Sequence, residues 1–202
     1  MSDLSWWLSV ESASAVGKQI TTSTDELNQA CEHIVRLLCD ASALLDGGSH
    51  ATSAFLAITA LEETAKVHIG MFRRSNIEAK RSKDPLYSHK EKHRIAGSPT
   101  VAMGERLKAA IGDDRLKELL EVMRTGGLIP LREAALYVDR SNETLAIPSK
   151  VISVSLAREF LLLAVEAFDD ALVGYTNWTF EASKTTDSIF ERWASAPLVS
   201  KN

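Results

Sequence analysis

The apolar positions of this chain recur with the spacing of α-helices almost from end to end. The first long run covers residues 25–45, with Ser23 or Thr24 in front of it and Gly47-Gly48 behind it. Capping side chains at the start and glycine at the end are typical of a helix. A second run extends to about residue 74 and has Ser49 as its expected N-cap. Because only a short turn separates them, the two runs predict an antiparallel helical hairpin.

Glycine, proline and polar stretches divide the rest of the chain into further predicted helices. No segment shows the regular alternation of a β-strand, so the pattern predicts an all-α bundle of four main helices with additional short helices. We expect a polar loop at 76–87, a short basic helix after Ser88, one or two helices at 101–124 with a break near Gly112, a turn at Gly126-Gly127, a loop to about Lys150, a long helix at 153–180 and a short C-terminal helix. The predicted domains are an N-terminal extension at 1–22, a helical domain at 23–182, and a short helix with a tail at 183–202.

The second of these helices is apolar or neutral on nearly every side, which is typical of a central, buried helix. Between His50 and Phe72, its only charged residues are Glu62, Glu63 and Lys66. Both carboxylates lie within reach of the ammonium at i,i+3 or i,i+4 spacing, so one interpretation is an ion-pair cluster that neutralises itself. The other is that the cluster forms one wall of a polar site, since charges on a buried helix must be satisfied internally.

Composition limits the class of protein. The chain has 202 residues, of which 45% are apolar and 25% charged, as expected for one soluble globular domain. No apolar run is long enough to span a membrane, and the N-terminus lacks the pattern of a secretory signal. We therefore predict a cytoplasmic protein without a membrane partner. Cys31 and Cys39 stand eight positions apart on one predicted helix, too far for a disulfide.

The net charge of −4 disfavours general nucleic-acid binding, but the charge is unevenly distributed. Residues 73–94 contain eight Lys or Arg and three acidic residues, so this segment is +5 and the remainder −9. A basic segment of this kind is suited to phosphate. Equally, it is often only a solvated surface. The candidate RNA-binding residues are Arg73, Arg74, Lys90, Lys92 and Arg94.

His89 and His93 lie four positions apart inside the basic segment and share a face of the predicted helix. This is also the spacing of a two-histidine metal site. The intervening Lys-Glu-Lys does not match HExxH, and two lysines disfavour a bound cation, so we predict neither a metal nor another cofactor. Histidine exchanges protons near neutral pH, which makes both residues candidate acids or bases.

Arg132 and Tyr137 are the third polar feature, in LREAALYVD. Arg132 follows Pro130 closely and is expected in the first turn of a helix. Tyr137 would lie about 140° around that helix, so the two converge only through the reach of Arg132 or across a dimer cleft. Arginine can clamp a phosphate, and tyrosine can donate a proton. The alternative is an arginine paired with Glu133 or Asp139 beside a half-buried tyrosine.

Three stretches, ATSAFLAITALEETAKVHIG, SHKEKH and LREAALYVD, resemble in order and spacing the AbiV-type abortive-infection family, a branch of the HEPN superfamily. The resemblance covers roughly residues 25–180. It implies a helical bundle that often dimerises, a role in stopping phage multiplication and, in many HEPN proteins, metal-independent RNA cleavage. The superfamily's ribonuclease motif is Arg, four to six residues, then His. Arg132 matches the Arg, but Tyr137 stands where the His is expected.

The leading hypothesis is therefore a ribonuclease toxin that cleaves RNA, with tRNA as one candidate, to arrest growth or translation. Its site would combine Glu62, Glu63, Lys66, His89, His93, Arg132 and Tyr137. A histidine would take the proton of a ribose 2′-hydroxyl, Arg132 and Lys66 would stabilise the phosphorane, and Tyr137 or the other histidine would protonate the leaving oxygen. One of the two glutamates would orient Lys66. We expect a homodimer, and either a phage-encoded activator or a cognate antitoxin as partner.

The alternative is a non-catalytic HEPN-like binding module that senses a phage protein or a nucleotide, or regulates a partner. The absence of histidine at 137 favours this second hypothesis, whereas the charges retained on the apolar helix favour the first. A metal hydrolase that uses both histidines and a glutamate is the weakest hypothesis. Short distances from the two histidines to Arg132 are required by the nuclease and not by the binding module.

Overall fold

The computed structural model describes residues 4–73, 80–97, 101–141 and 144–196, without the side chains of 4–7, 101–104 and 141. Helices dominate this part of the chain, as the all-α prediction requires. The α-helices are α1 (Leu4–Ala15), α2 (Thr24–Asp46), α3 (His50–Met71), α4 (His89–Ala96), α5 (Val101–Ile111), α6 (Asp113–Thr125), α7 (Leu128–Ala134), α8 (Pro148–Val151), α9 (Val154–Leu172) and α10 (Asn177–Ala194). Two short 3-10 helices (Arg81–Lys83 and Pro85–Tyr87) and two strands, β1 (Asp139–Ser141) and β2 (Thr144–Ala146), complete it.

Four long helices, α2, α3, α9 and α10, form the bundle, and α3 packs against both α2 and α9. The hydrophobic core lies between them, because each of these helices turns an apolar face inward. The largest fully buried side chains of these helices are Ile34, Leu38, Ile58, Leu61, Phe160 and Phe168. The prediction that the second long helix is central and buried is therefore confirmed.

Helix starts follow the capping residues of the sequence in most cases. The hydroxyls of Ser23 and Ser88 accept hydrogen bonds from the backbone N–H of Glu26 and Glu91, at the starts of α2 and α4. The prediction for Ser49 is wrong, because its side chain makes no capping hydrogen bond to α3. Tertiary packing on both sides of α3 makes that cap dispensable.

The C-terminal third differs most from expectation. The predicted helix at 153–180 is two helices, because the chain turns at Gly174, whose φ of +91° favours glycine. The predicted short C-terminal helix is the last part of α10, a full member of the bundle, and the expected boundary at 182–183 falls inside it. Trp193, near the end of α10, donates its Nε1–H to the hydroxyl of Ser42 at 2.8 Å.

Two predicted loops contain regular structure. The loop before Lys150 holds β1 and β2, which pair antiparallel with Arg140 opposite Leu145, followed by α8. Strands of three residues are too short to show alternation in sequence. In the polar loop at 76–87, residues 74–79 lie outside the described part, and the remainder forms the two 3-10 helices. The carboxylate of Asp84 caps the second of them by accepting from Leu86 N–H at 2.9 Å.

The short helices α4 and α7 both pack on α3, and on each other. The helix α7 begins before Pro130, which is tolerated in a first turn, and it ends at Ala134. Arg132 is therefore in the last turn rather than the first, and Tyr137 lies beyond the helix end. This arrangement brings α4 and α7 to the side of α3 that carries Glu62.

Candidate functional site

A single buried carboxylate, that of Glu62 on α3, is the centre of the candidate site. Its side chain is only 3% exposed. One oxygen, Oε2, contacts Nδ1 of His89 at 2.7 Å and Nζ of Lys92 at 2.8 Å. The other, Oε1, contacts Nε2 of His93 at 2.8 Å and lies 3.6 Å from Nε of Arg132. Glu62 thus joins residues of α3, α4 and α7, and we call these five residues the Glu62 cluster.

Glu62 is ionised at neutral pH. Burial raises the pKa of its carboxyl, but hydrogen bonds from His93 and Lys92 outweigh burial, and the pKa falls to about 2. An ionised carboxylate only accepts hydrogen bonds. The ring nitrogens that face it, Nδ1 of His89 and Nε2 of His93, therefore carry hydrogen. This leaves Nε2 of His89 and Nδ1 of His93 able to take up a proton, and only His89 is accessible, because Nδ1 of His93 is buried.

The cluster has an inner and an outer part. The side chains of His93 and Lys92 are 0% and 7% exposed, so they hold Glu62 from inside. Those of His89 and Arg132 are 45% and 25% exposed. A ligand from solvent therefore meets His89 and Arg132 first, and reaches neither His93 nor Lys92 without a rearrangement.

Arg132 supplies more positive charge than Glu62 can balance. Lys92 already neutralises the carboxylate, so the charge of Arg132 is in excess when both histidines are neutral. Its guanidinium lies over the ring of Phe55, with its carbon 4.7 Å from the ring centroid. Its Nε is buried and has no hydrogen-bond partner among the described residues. The outer part of the cluster is therefore suited to an anion.

Three predicted site residues lie outside this cluster. Lys66 pairs with Glu63 at 2.7 Å, as the ion-pair interpretation expects, but neither contacts Glu62. Tyr137 is 61% exposed and lines a separate groove with Pro130, Val138 and other residues. The structure thus brings together four of the seven predicted residues, Glu62, His89, His93 and Arg132.

Of the predicted RNA-binding residues, some are buried in ion pairs and others are exposed. Arg73 differs from expectation, because it is buried and pairs with Asp84, and its Nε donates to the carbonyl of Ala13 at 2.8 Å. Lys92 is buried on Glu62. Lys90 is exposed, and Arg94 is partly exposed and bonded to Glu91. Arg74 lies outside the described residues.

Sequence reasoning missed two functional features of the site. Lys92 was expected at the surface. It lies three positions after His89 on a short helix, and this spacing indicates that the two side chains share a face of the helix. Phe55 lies seven positions before Glu62 on α3 and therefore on the same face, but its contact with Arg132 depends on how α7 docks. Sequence spacing carries no information on that docking.

The described residues contain no group of three or more His, Cys, Asp or Glu side chains arranged to hold a metal ion. In the Glu62 cluster, the ammonium of Lys92 occupies the carboxylate oxygen that also contacts His89. None of the described helices is both long enough and apolar enough to cross a membrane.

In the described residues, the fold is an all-α bundle in which a basic short helix and an arginine pack on one central carboxylate. A family model described as AbiV, of the HEPN type, matches residues 23–168. The chain therefore belongs to the AbiV family, and is an abortive-infection protein of the HEPN type. Neither a curated protein nor a solved structure matched the chain.

Proposed function

We propose that the chain is a metal-independent endoribonuclease whose accessible catalytic groups are His89 and Arg132. The observation that carries this proposal is that buried Glu62 holds Nδ1 of a half-exposed histidine beside an arginine with excess positive charge. A carboxylate that fixes one ring nitrogen leaves the other free to act as a general base. An arginine at the same place stabilises the charge that develops on a phosphate.

In this mechanism, Nε2 of His89 takes the proton of a ribose 2′-hydroxyl, and the 2′-oxygen forms a bond to the adjacent phosphorus. The bond from phosphorus to the 5′-oxygen breaks. Arg132 binds the non-bridging oxygens of the phosphorane, where negative charge increases. The products are a 2′,3′-cyclic phosphate and a 5′-hydroxyl, and no co-reactant is needed because one proton is taken up and one is released to the leaving oxygen.

Glu62, His93 and Lys92 act as positioning residues in this proposal. His93 and Lys92 keep the pKa of Glu62 at about 2, and the ionised carboxylate holds the ring of His89. Lys66 and Glu63, which were expected near the phosphate, pair with each other instead of with Glu62. Their predicted contribution to catalysis is therefore small.

Tyr137 fits the proposed reaction only in a homodimer. The segment from α7 to α8 exposes a group of large apolar side chains, which is a common feature of protein interfaces. These are Leu136, Tyr137, Val138, Leu145 and Val151. We propose this surface as the homodimer interface, where Tyr137 of a second copy protonates the leaving oxygen. A Leu145→Glu variant is expected to become monomeric in sedimentation analysis and to lose cleavage, and a dimer that persists would contradict the assignment.

The test of the nuclease is cleavage of total cellular RNA and purified tRNA in excess EDTA. We expect the wild type to produce ends with 2′,3′-cyclic phosphate, and His89→Gln and Arg132→Ala to lose cleavage by at least about a hundredfold. An RNA whose ribose at the cleaved position lacks the 2′-hydroxyl should remain intact.

Matched controls come from the exposed face of α2. His33→Gln and Arg36→Ala remove a histidine and an arginine that both lie at the surface, away from the Glu62 cluster. Both should cleave as the wild type does. Cleavage that persists in His89→Gln, or that disappears equally in the α2 variants, would refute the assignment.

Within the family's role, such cleavage would arrest growth or translation in an infected cell. We propose a phage-encoded activator or a cognate antitoxin as the control of the activity, and the cytoplasm as its place. Expression of the wild type and of Arg132→Ala in a host tests the toxic effect. Equal growth of both strains during phage infection would contradict it.

The second candidate function is a non-catalytic binding module for a phage protein or a nucleotide. The observation in its favour is that His93 is fully buried and Tyr137 lies apart, so the Glu62 cluster of one protomer presents a single accessible histidine, His89. In that case RNA stays intact in the wild type and in Arg132→Ala. Binding of a phage-encoded protein, measured with purified components, would then be the next experiment.

A further inference from the structure

Arg132 is held differently from the other residues of the Glu62 cluster. The two histidines and the lysine lie 2.7–2.8 Å from a carboxylate oxygen of Glu62, whereas Nε of Arg132 is 3.6 Å from Oε1. That distance is too long for a hydrogen bond. The guanidinium of Arg132 donates no hydrogen bond to any of the described residues. Something other than hydrogen bonding must therefore fix its position.

The ring of Phe55 supplies that contact. The guanidinium carbon of Arg132 lies 4.7 Å from the ring centroid, which is within the range of a cation–π contact. Phe55 belongs to the central helix α3, and its side chain is partly buried against the hydrophobic core. Because the attraction acts between the charge and the face of the ring, it uses none of the N–H donors of the arginine.

A second arginine in the protein has the same ring contact but no free donors. Arg106 lies over Phe190, with its guanidinium carbon 3.9 Å from the ring centroid. Its Nε and both of its Nη groups donate hydrogen bonds to carboxylates, so this guanidinium is fully occupied. The carboxylates are those of Glu166, Asp169 and Asp187. Arg132 differs because the ring contact holds it and its donors stay unused.

The nearest alternative partner of Arg132 is Glu62. A movement of less than about 1 Å would bring Nε to Oε1 and form a charge-assisted hydrogen bond. A guanidinium bonded in this way would share its donors with the carboxylate and present fewer of them to a phosphate. A contact that opposes this movement therefore determines how many donors a ligand can reach.

We propose that Phe55 is a positioning residue for Arg132. Its ring holds the guanidinium away from Glu62, so that the Nη donors stay available for two non-bridging oxygens of an RNA phosphate. The inference rests on the proposed function for the identity of this ligand. It does not rest on cleavage, because the same donors bind the phosphate of an RNA that cannot react.

The test is a series of substitutions at position 55, measured with a short single-stranded RNA and with its 2′-fluoro counterpart. The 2′-fluoro RNA cannot be cleaved, because fluorine replaces the attacking hydroxyl. Phe55→Leu removes the aromatic face, whereas Phe55→Tyr and Phe55→Trp keep it. We expect Phe55→Leu to lose about tenfold in kcat/KM and about threefold in affinity for the 2′-fluoro RNA. The two aromatic variants should stay within about twofold of the wild type.

A double-mutant cycle separates positioning from folding. If the ring acts through Arg132, then Phe55→Leu causes no further loss of affinity in the Arg132→Ala background. A ring that only packs against the core would weaken binding by the same factor in both backgrounds. Unfolding temperatures of all variants verify that the proteins compared are folded.

Two other phenylalanines provide matched controls. Phe180→Leu removes an exposed ring on α10, outside the Glu62 cluster, and should bind and cleave RNA as the wild type does. Phe190→Leu removes a buried ring beside an arginine whose donors are already occupied. It should lower the unfolding temperature and leave the affinity for RNA unchanged.

The outcomes distinguish this proposal from the ribonuclease. If the wild type does not cleave RNA but its affinity follows the series at position 55, the ribonuclease is refuted and the role of Phe55 is supported. If the wild type and Phe55→Leu cleave and bind equally, the role of Phe55 is refuted and the ribonuclease remains. Equal losses in Phe55→Leu and both aromatic variants, or a loss that persists in the Arg132→Ala background, would also overturn the role of Phe55. A wild type that neither cleaves nor binds RNA would overturn both proposals.

Discussion

Two partly buried ionic clusters in this protein have opposite excess charge. In the Glu62 cluster, one carboxylate meets Lys92 and Arg132 together with two histidines. In the second cluster one arginine, Arg106 on α5, pairs with three carboxylates on α9 and α10, and we call it the Arg106 cluster. Its partners are Glu166, Asp169 and Asp187.

The carboxyl pKa values move in opposite directions in the two clusters. In both, burial raises the carboxyl pKa. At Glu62 the hydrogen bonds from His93 and Lys92 outweigh burial and lower it to about 2. At Glu166 burial outweighs Arg106, and the pKa rises to about 6. The comparison teaches that the balance of donors over carboxylates, rather than burial alone, decides whether a buried glutamate is held ionised.

The excess charge also distinguishes what each cluster is suited to. The Glu62 cluster presents a histidine and an arginine to solvent, which suits a phosphate. The Arg106 cluster joins α5 to α9 and α10, and Arg106 lies over the ring of Phe190 at 3.9 Å. An acidic excess repels a phosphate, so a structural role accounts for the second cluster.

The largest loss of stability is expected from Glu62→Gln. The substitution leaves Lys92 and Arg132 without their carboxylate, and an uncompensated buried charge costs about 4 kcal/mol of unfolding free energy. Urea unfolding at pH 7 measures it. Glu63→Gln is the matched control, since Glu63 is the next residue and its pair with Lys66 is partly exposed. That control should lose less than about 1 kcal/mol.

Acid pH provides an internal check on this prediction. Glu62 titrates near 2 in the folded state and near 4.5 when unfolded, so its contribution is present above about 4.5 and is lost as pH falls towards 2. The difference in stability between wild type and Glu62→Gln should therefore narrow below pH 4.5. A difference that stays constant down to pH 2 would contradict the assigned ionisation.

The second largest loss of stability is expected from Arg106→Met. Within the described residues, this substitution removes the only cation that contacts the three carboxylates. We expect a loss of about 3 kcal/mol at pH 8, because the carboxylates then repel one another. The loss should be smaller at pH 5, since the carboxyl groups can take up protons. Lys108→Met, which changes an exposed pair on the same helix, is the control. An equal loss at both pH values would be inconsistent with repulsion as the cause.

A smaller change is expected in how the free energy of unfolding depends on pH, and its cause is Glu166. Its pKa is raised from 4.5 to about 6 on folding, so the folded state binds this proton more tightly. Glu166 therefore contributes about 2 kcal/mol to the free energy of unfolding below about pH 4.5. This contribution is lost as the pH rises through 6. Subtracting the stability of Glu166→Gln from that of the wild type at each pH should reveal this decline. A flat difference would contradict the raised pKa.

The smallest changes in stability are expected from two buried threonines, one on α3 and one that contacts the Arg106 cluster. The hydroxyl of Thr64, on α3, has no hydrogen-bond partner among the described residues. That of Thr186 donates to Oδ1 of Asp169 at 2.6 Å. Thr64→Val should be neutral or stabilise by up to about 1 kcal/mol, and Thr186→Val should destabilise by about 1 kcal/mol. Thermal unfolding distinguishes the two, and the same sign for both variants would contradict the assignment.

Much of the fold was predictable because helical periodicity and caps are local properties. Ser23 starts α2, Ser88 starts α4 and Gly112 separates α5 from α6. The break at Gly174 was missed, because apolar positions continue on both sides of it and a single glycine inside such a pattern is ambiguous. The three-residue strands β1 and β2 were too short to produce a pattern.

The candidate site was predictable in its residue types and only partly in its partners. Glu63 with Lys66 follows from helical spacing, and the structure contains that pair. Glu62 was expected to share Lys66, yet it binds residues of α4 and α7 that follow it by about 30 and 70 positions. Tyr137 was placed on a helix that in fact ends at Ala134, which removes it from the site.

By itself the sequence determined the helical class, the central position of α3 and the membership of the AbiV family, since each depends on local pattern or motif order. Only the tertiary structure decided which charges meet. The docking of α4 and α7 on α3 buried Glu62, His93 and Lys92 and left His89 and Arg132 accessible. Burial and partner choice depend on contacts between distant segments, and those contacts set both the ionisation of Glu62 and the face that a ligand can reach.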